Sequence, residues 1–457
     1  MVGKKFSCTE DFEMWGSWEL PGVEGSLAGV LAFDPLEGFE LRTYGTFQAL
    51  QGRPSQAPAD FEVIWGHVEG KIVSLLVVQM QSSTTAIGQV MTEWATYSGE
   101  YLVVGEQISG RNDPAIKSAW ISVDFLDYFL GKPASTRIRS SLDSSTYQVE
   151  VQSIIGRDEL ESLQLDSGEL VTVEVSVRPP YYEWNSEQFV TRISEKHFVR
   201  YDSVESTTIE TVLKWSLEVS QFVSLAANRL SDRSEIRLNF GEGDLGWLIV
   251  PRRKDLAASQ LARLYSSFVF QREVSEALPM FKSWVEFHRR NLRSLRLLTE
   301  PLVSKTQYLE TAVLLSGVLA ESFHNSVYDK ETLSESKQAF KQLTGEEFKD
   351  GKKPYFKLRA LDLYFRLGPE FRNLMLPNHE TWVKGLCKVR NDLAHEALLE
   401  PANFEWAYAI SRVTNTLIHA LVLSHVGVST KELVAALETS GRWRNAVLLA
   451  QRYLSKD

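Results

Sequence analysis

Residues 382–395 read WVKGLCKVRNDLAH, and this stretch decides how the C-terminal part of the chain folds. Its apolar residues at 382, 386, 389 and 393 recur at helical spacing, which predicts a helix with one buried stripe. Asn391 and His395 are four residues apart, so they lie on one face of that helix, about 6 Å apart along its axis. Arg390 sits one position round on a long side chain. The three polar groups can therefore converge.

The sequence around this helix is also helical, from about residue 303 to residue 455. Helical periodicity covers 305–327, 333–344, 355–366, 380–396, 402–426 and 430–454, and Gly441 is a candidate break in the last segment. A Thr-Glu-Pro stretch at 299–301 marks a plausible boundary on the N-terminal side. We therefore predict an all-α helical-bundle domain over residues 301–457.

The N-terminal half has a different pattern. Short alternating or β-branched runs punctuated by glycines fill residues 12–130, as at 61–65 and 72–78, and predict a β-rich domain over residues 1–132. Beyond a Gly-Lys-Pro break, residues 133–300 form a mixed α/β region. It contains a strand at 170–177, a helix near 206–228, a return to strand and a basic amphipathic helix at 281–298. The predicted fold class is α+β.

Composition and charge narrow the class of protein. Hydrophobic residues make up 44% and charged residues 24% of the chain, as in ordinary globular proteins. The net charge of −10 excludes a globally basic protein that coats nucleic acid. With Cys8 and Cys387 far apart, we expect no disulfide framework or zinc site. No signal peptide or apolar run of about 18 residues is present, so we expect a cytoplasmic protein without membrane contact.

Contact with nucleic acid would then have to be local, and two groups of basic residues are candidates. For such groups a solvated charged face is the more frequent structure. The first group is Arg289, Arg290, Arg293 and Arg296, and the second, around Tyr355 and Phe356, is Lys349, Lys352, Lys353, Lys357 and Arg359.

The R-N-x-x-x-H spelling at 390–395, on a helix of a helical domain, resembles the signature of the HEPN superfamily of ribonucleases. A shuffled chain would contain this spelling with a probability of about one per cent. The tryptophan-, glycine- and strand-rich N-terminal half, beginning near WGSWELPG at 15–22, extends the likeness to the ApeA-type anti-phage HEPN nucleases. The resemblance implies a metal-independent endoribonuclease that acts in abortive infection, needs no cofactor and works as a homodimer through its C-terminal helical domain.

Each residue of the motif has a chemical role in such an enzyme. His395 can move protons near neutral pH, and Arg390 can stabilise the charge on the phosphate, leaving a 2′,3′-cyclic phosphate product. Asn391 would orient the histidine or the phosphate. Family members place a further polar residue on an earlier helix, for which Glu321 is the best candidate and Glu310 the alternative.

Other signals have simpler explanations. The looser R-x-x-x-x-H at Arg192 and His197 has no helical setting and is expected to be structural. The G-x-G-x-x-G at 241–246 leads into a strand, so a β-hairpin turn is expected rather than a nucleotide site. Cys387 lies about 12 Å along the helix from His395, too far for a nucleophile and its base, and is expected to pack. His324 is expected to be a packed or exposed bystander.

The expected partners are RNA, with tRNA among the candidates, a second copy of the chain and a phage-derived trigger sensed by the N-terminal half. The rival interpretation is a non-catalytic HEPN-like module that binds a partner or a nucleotide. An intact R-N-x-x-x-H favours the enzyme, because a purely structural helix does not need that trio.

Overall fold

The computed structural model divides the chain into two compact units. The first unit is Met1–Asp127, Lys132–Ser220 and Ser231–Leu256, and the second is Tyr128–Gly131, Gln221–Leu230 and Ala257–Asp457. The residues that the structure describes are 6–54, 59–86, 92–130, 136–143, 146–153, 162–177, 181–185, 188–192, 195–241, 245–253, 268–303, 308–329, 331–349, 354–396 and 399–455.

The first unit is built from β-strands. In the described part of the chain these are β1 (Phe12–Glu19), β2 (Leu27–Asp34), β3 (Gly38–Tyr44), β4 (Asp60–Val68), β5 (Lys71–Ala86), β6 (Thr92–Gly99), β7 (Tyr101–Val104), β8 (Ile116–Val123), β9 (Thr136–Asp143), β10 (Thr146–Ser153), β11 (Ser162–Gln164), β12 (Leu170–Val177), β13 (Tyr181–Asn185), β14 (Gln188–Arg192), β15 (Glu195–Thr207), β16 (Arg233–Asn239) and β17 (Leu245–Ile249).

Six of these strands close into a ring. β6 pairs with both β3 and β5, so the order β5-β4-β1-β2-β3-β6 returns to its start, with antiparallel neighbours throughout. Trp18 on β1 fills the interior and lies opposite Gly66 on β4. A Cβ atom at Gly66 would sit 2.5 Å from the Trp18 indole, so only glycine lets the ring system lie there.

The same sheet continues beyond the ring in the order β7-β17-β16-β8-β15-β12-β11, whereas β9–β10 and β13–β14 form two separate pairs. The pairing of β8 with β15 and β16 joins strands from both sides of residue 132. On this sheet Tyr201 stacks on Trp215, with ring centroids 4.8 Å apart, and donates a hydrogen bond to Glu218 over 2.9 Å.

The helices lie mostly in the second unit. In the described residues they are α1 (Phe47–Leu50), α2 (Leu126–Phe129), α3 (Ile209–Ala227), α4 (Val274–Val303), α5 (Leu309–Val327), α6 (Ser334–Thr344), α7 (Phe356–Phe365), α8 (Pro369–Met375), α9 (His379–Glu396), α10 (Phe404–His425), α11 (Thr430–Thr439) and α12 (Gly441–Tyr453). None of them is both long and apolar enough to cross a membrane.

Helices α5 and α10 form the centre of the bundle. They pack along each other, and α5 also contacts α4, α7 and α9. Ser316 on α5 and Ser411 on α10 share a hydrogen bond of 2.7 Å inside this interface, which satisfies two buried hydroxyls without a charge. The central pair fixes the position of α9, which carries residues 390–395.

The predicted α+β class, with a β-rich N-terminal half before a helical bundle, is confirmed. The predicted helices are present within a few residues, and the last one does break at Gly441. The short helix α8 was not predicted. The predicted boundaries at 132 and 300 do not coincide with the two units, because β8 pairs across the first one and α4 runs through the second.

Candidate functional site around Arg390

Helix α9 carries the R-N-x-x-x-H motif and is anchored along one side. Asn378 begins it by accepting the backbone N–H of Thr381 over 3.1 Å, as a capping side chain does. The predicted apolar stripe is confirmed, since its four residues are 6% exposed or less: Trp382, Leu386, Val389 and Leu393. The polar faces of the helix therefore lie outside this buried stripe.

Arg390 is held in place by two contacts. Its Nη2 donates to Glu321 Oε2 on α5 over 2.6 Å, and its guanidinium lies 4.5 Å from the centre of the Phe356 ring at the start of α7. A charge-assisted hydrogen bond and a stacked ring together limit the rotation of a long side chain. The arginine is thus positioned before any ligand arrives.

Glu321 is itself fixed by a second arginine. Arg359 on α7 donates from Nη1 to Glu321 Oε1 over 2.7 Å, and only 3% of its side chain is exposed. The buried Arg359 cation therefore compensates the carboxylate that Arg390 also uses. We call Glu321, Arg359 and Arg390 the motif site.

The charges of the motif site leave Arg390 able to bind an anion. Two guanidiniums share one carboxylate, so the three groups carry one net positive charge. Arg390 is 33% exposed and spends one N–H on Glu321, whereas a guanidinium has five. It can keep its contact with Glu321 and still donate to a phosphate oxygen.

The other two motif residues lie further along α9. Asn391 is exposed and forms no side-chain hydrogen bond with the residues that the structure describes. Residue 395 lies in the last turn of the helix, one turn beyond Asn391, but the side chain of His395 lies outside the described part of the structure. The structure thus brings Arg390 and Glu321 together, and the convergence with His395 stays a prediction.

A shallow groove of about 390 Å³ opens beside Glu321. It is lined by Arg293, Val318, Glu321, Ser322, Asn325 and Ser326. Arg293 is exposed and has no hydrogen bond or ion pair with the described residues. One member of the first predicted basic group therefore faces the groove, and Arg289, Arg290 and Arg296 are exposed, as a solvated face requires.

Arg359 has a part in this site that its sequence position did not indicate. It belongs to a basic group for which a solvated face was expected, and for Arg359 that expectation is wrong, because the side chain is buried against Glu321. The signal was its place among apolar residues of α7, since a buried arginine requires a partner. Lys349 is exposed as expected, and Lys352 and Lys353 lie outside the described residues.

His324 belongs to a separate buried cluster. Its Nε2 lies 3.1 Å from Asp362 Oδ2, and Asp362 also accepts hydrogen bonds from Ser336 and Arg366. Burial alone would raise the pKa of Asp362, but the hydrogen bond from His324 and the others hold it below its usual value. Both side chains are fully buried, so His324 is the packed bystander that was expected.

Cys387 packs against the bundle rather than serving as a nucleophile. Its side chain is partly buried, and burial raises the pKa of its thiol against the opposing effect of Lys357 and Arg390. A raised pKa keeps the sulfur protonated and poorly reactive. Within the described residues, no three His, Cys, Asp or Glu side chains are grouped as a metal site would require.

Two further motifs of the sequence, R-x-x-x-x-H at 192–197 and G-x-G-x-x-G at 241–246, are partly described by the structure. His197 on β15 is buried, and its ring Nδ1 lies 2.8 Å from Asp127 Oδ1. The side chain of Arg192 lies outside the described residues. The glycines at 241–246 connect β16 to β17, which pair antiparallel, so the predicted hairpin is confirmed, with residues 242–244 outside the described part.

Comparison with protein families covers both halves of the chain. The model of ApeA N-terminal domain 1 matches residues 13–271, which is more than half of the chain. The model of the Apea-like HEPN domain matches residues 314–432, a stretch that includes Glu321, Arg359 and the whole R-N-x-x-x-H motif. Searches of curated proteins and of solved structures found no significant match.

Proposed function

The chain belongs to the family of ApeA-type HEPN proteins, and from that premise we propose that it is an endoribonuclease whose active site is built on α9. Family membership supports an HEPN-type anti-phage effector with nuclease activity. The observation that carries the more specific proposal is the hydrogen bond between Arg390 and Glu321, which holds a motif arginine in place while leaving most of its donors for a ligand.

The proposed reaction is an attack of a ribose 2′-oxygen on the adjacent phosphorus. A base removes the 2′-hydroxyl proton, the bond from phosphorus to the 5′-oxygen breaks, and an acid protonates that oxygen, leaving a 2′,3′-cyclic phosphate. We assign the proton transfers to His395, because an imidazole ordinarily titrates near neutral pH and can serve as base or acid. Arg390 would stabilise the extra charge on the phosphorane, and Asn391 would orient the histidine or the phosphate.

Glu321 acts in this proposal as a positioning residue. Its carboxylate holds Arg390, and the buried Arg359 holds the carboxylate, so the guanidinium is oriented without a metal ion. Pre-oriented donors are the usual means of stabilising a transition state that gains charge. The groove beside Glu321, with the exposed Arg293 on its wall, is where we expect the RNA backbone to lie.

We further propose that the active unit is a homodimer formed through residues 301–457. One chain supplies a single His395, whereas the reaction needs both a base and an acid around one phosphate. Arg390 and Asn391 are partly or fully exposed on α9, so a second copy can approach them. A two-fold axis near residue 395 would complete the site, and such symmetry is the commonest way in which proteins self-associate.

The N-terminal half would control this site. We propose that residues 1–300 sense a phage-derived trigger or gate the access of RNA to the site. Transfer RNA is among the candidate substrates. We place this activity in the cytoplasm. The proposal rests on the match of this half to an ApeA N-terminal domain.

The test is RNA cleavage by the purified full-length protein, with the product ends mapped. We expect cyclic phosphate ends, activity in excess chelator and no cleavage where the scissile 2′-hydroxyl is replaced by hydrogen. His395→Ala should abolish cleavage while leaving thermal unfolding little changed. Cleavage of the deoxy-substituted RNA, or loss with chelator and recovery with a divalent ion, would refute the 2′-hydroxyl mechanism. An active His395→Ala variant would refute the assignment of the histidine.

The dimer has its own test. Chains carrying His395→Ala, co-expressed in excess with wild-type chains, should depress cleavage below simple dilution, because mixed dimers would be impaired. A monomer by light scattering, with activity strictly proportional to the wild-type fraction, would mean that each chain acts alone.

A further inference from the structure

Two arginines of the helical unit line one pocket that lies outside the motif site, and a third is close enough for its charge to act on one of them. Arg229 follows α3, Arg412 lies on α10, and Arg442 lies in the first turn of α12. Arg412 and Arg442 line the pocket, and the positive charges of Arg412 and Arg229 both act on Arg442. We call these three residues the arginine pocket.

None of the three guanidiniums has a partner among the residues that the structure describes. No hydrogen bond or ion pair joins any of their side chains to a carboxylate, a carbonyl or another acceptor. The Nε of Arg412 is fully buried and still without an acceptor. A buried, unsatisfied donor of a charged group carries a free-energy cost, which a ligand with acceptor oxygens would remove.

Like charges are also crowded around Arg442. Burial, with the neighbouring charges of Arg412 and Arg229 acting in the same direction, lowers the pKa of Arg442 to about 10. Arginine ordinarily stays charged well above this value. Three cations held close together without an anion are destabilising, so the free protein stores repulsion that a bound anion would relieve.

The start of α12 adds donors on the same side. Its N-cap residue, Ser440, forms no capping hydrogen bond with the helix, and the first turn contains no acidic residue. The backbone N–H groups of the first turn of a helix have no partner within the helix and favour anions. Arg442 and Trp443, both in this turn, line the pocket.

The pocket wall also contains neutral polar groups. Asn228, Asn415 and Thr416 line it beside apolar residues of α3 and α4. His419 lies in the wall with both ring nitrogens satisfied, one near the Leu225 carbonyl at 3.1 Å and the other accepting from Trp443 Nε1 over 3.3 Å. These neutral groups can contact a ligand beside the two arginines of the wall.

The arginine pocket lies on the face of α10 opposite to the motif helix. Ile410 and Thr414 of α10 face α9, where Thr414 accepts a hydrogen bond from Trp382 over 3.0 Å. Arg412, Thr416 and His419 are spaced at four and three residues and share the other face. The pocket is therefore separate from the motif site, and an anion bound there would not contact Arg390.

We propose that Arg412 and Arg442, with the charge of Arg229 nearby, bind a phosphate group, carried either by a free nucleotide or by the 5′ end of an RNA chain. Guanidiniums bind phosphate oxygens in pairs of parallel hydrogen bonds, so two of them can share the oxygens of one phosphate. The pocket volume of about 40 Å³ is far too small for a whole nucleotide, so the sugar and base would lie outside it. This proposal does not depend on the proposed RNA cleavage.

The test is calorimetric titration of the full-length protein with three probes. These are inorganic phosphate, adenosine 5′-monophosphate, and a short 2′-O-methyl oligonucleotide, which resists cleavage, with either a 5′-phosphate or a 5′-hydroxyl. We expect phosphate to bind the wild type and both Arg412→Gln and Arg442→Gln to weaken binding at least tenfold. The matched control is Arg444→Gln, an exposed arginine of the same helix that does not line the pocket, which should bind as the wild type does.

Thermal unfolding without phosphate establishes that each variant is folded. Tighter binding of the mononucleotide identifies a free nucleotide as the source of the phosphate, and tighter binding of the 5′-phosphorylated oligonucleotide identifies an RNA end. The proposal is overturned if none of the probes binds, if the oligonucleotide binds equally with either 5′ end while the small probes do not, or if the pocket variants bind as tightly as Arg444→Gln.

Discussion

The motif site and the arginine pocket lie in the same helical unit, and they treat their arginines in opposite ways. In the motif site two guanidiniums share the carboxylate of Glu321, at 2.6 and 2.7 Å. In the arginine pocket two guanidiniums line a cavity and a third lies nearby, and none of them has such a carboxylate among the described residues. In the first arrangement each arginine has a carboxylate partner, whereas in the second no arginine has one among the described residues.

The difference indicates what each arginine is for. An arginine that stabilises a transition state is more effective when it is already held in one orientation. A carboxylate that is itself fixed by a second arginine provides this orientation. An arginine that binds a ground-state anion gains from having no competitor for its donors. Removing the carboxylate of Glu321 should therefore destabilise the motif site. Removing an arginine from the arginine pocket should instead reduce the repulsion between its positive charges.

The largest effect on stability is expected from Glu321→Ala. The substitution leaves the Arg359 cation buried with no other acceptor among the described residues, and breaking a buried ion pair from one side costs about 3 kcal/mol. Chemical denaturation measures this change. The control is Glu346→Ala, an exposed glutamate of the same unit, which should change the free energy of unfolding by less than about 0.5 kcal/mol. Equal losses in the two variants would mean that Glu321 does not bridge the arginines.

A smaller effect on the free energy of unfolding is expected from the protonation of His419, which lies in the wall of the arginine pocket. Burial lowers its pKa from 6.5 to about 3, and Arg442 acts in the same direction. Because the folded pKa lies below the unfolded one, His419 contributes stability above pH 6.5 that is lost as the pH falls towards 3. Between pH 6.5 and pH 5 this amounts to about 2 kcal/mol.

The measurement is the free energy of unfolding of His419→Gln across this pH range. The variant should lose less stability on acidification than the wild type. The difference in slope against pH should correspond to the binding of about one proton on unfolding. An unchanged slope in His419→Gln would contradict the assignment of a buried neutral imidazole.

The smallest expected change in the free energy of unfolding is a stabilisation. Arg442→Gln removes one of three crowded cations, so in phosphate-free buffer of low ionic strength it should stabilise the helical unit by less than about 1 kcal/mol. The rise should disappear when phosphate is added, because the wild type then gains a ligand that the variant has lost. A destabilised variant in phosphate-free buffer would mean that Arg442 has an unrecognised structural partner.

Local pattern was sufficient to predict α9 and its neighbours. The stripe at Trp382, Leu386 and Val389 has helical spacing, and glycine at 441 was enough to predict a break. Glu321 was expected to meet Arg390, and the two do form a hydrogen bond. Helix α8 was not predicted because it is short and begins at the proline of a Gly-Pro pair, which normally signals a turn.

What the sequence could not predict depends on contacts between distant residues. Arg229, Arg412 and Arg442 are far apart in the chain and meet only because α3, α10 and α12 pack together. Likewise β8 pairs with β15 and β16 across the predicted boundary at residue 132, and no local periodicity records which strands become neighbours. Arg359 looked like a solvated cation because its partner lies on another helix.

The central claim is that Arg390 acts in RNA cleavage while being held by Glu321. The most direct measurement is the initial rate of RNA cleavage by Arg390→Ala beside Arg444→Ala, an exposed arginine of the same unit, with both variants shown to be folded. We expect Arg390→Ala to lower the rate by about 10²–10³-fold, as loss of a preorganised donor does. Arg444→Ala should cleave at the wild-type rate. Wild-type cleavage by Arg390→Ala would contradict the claim.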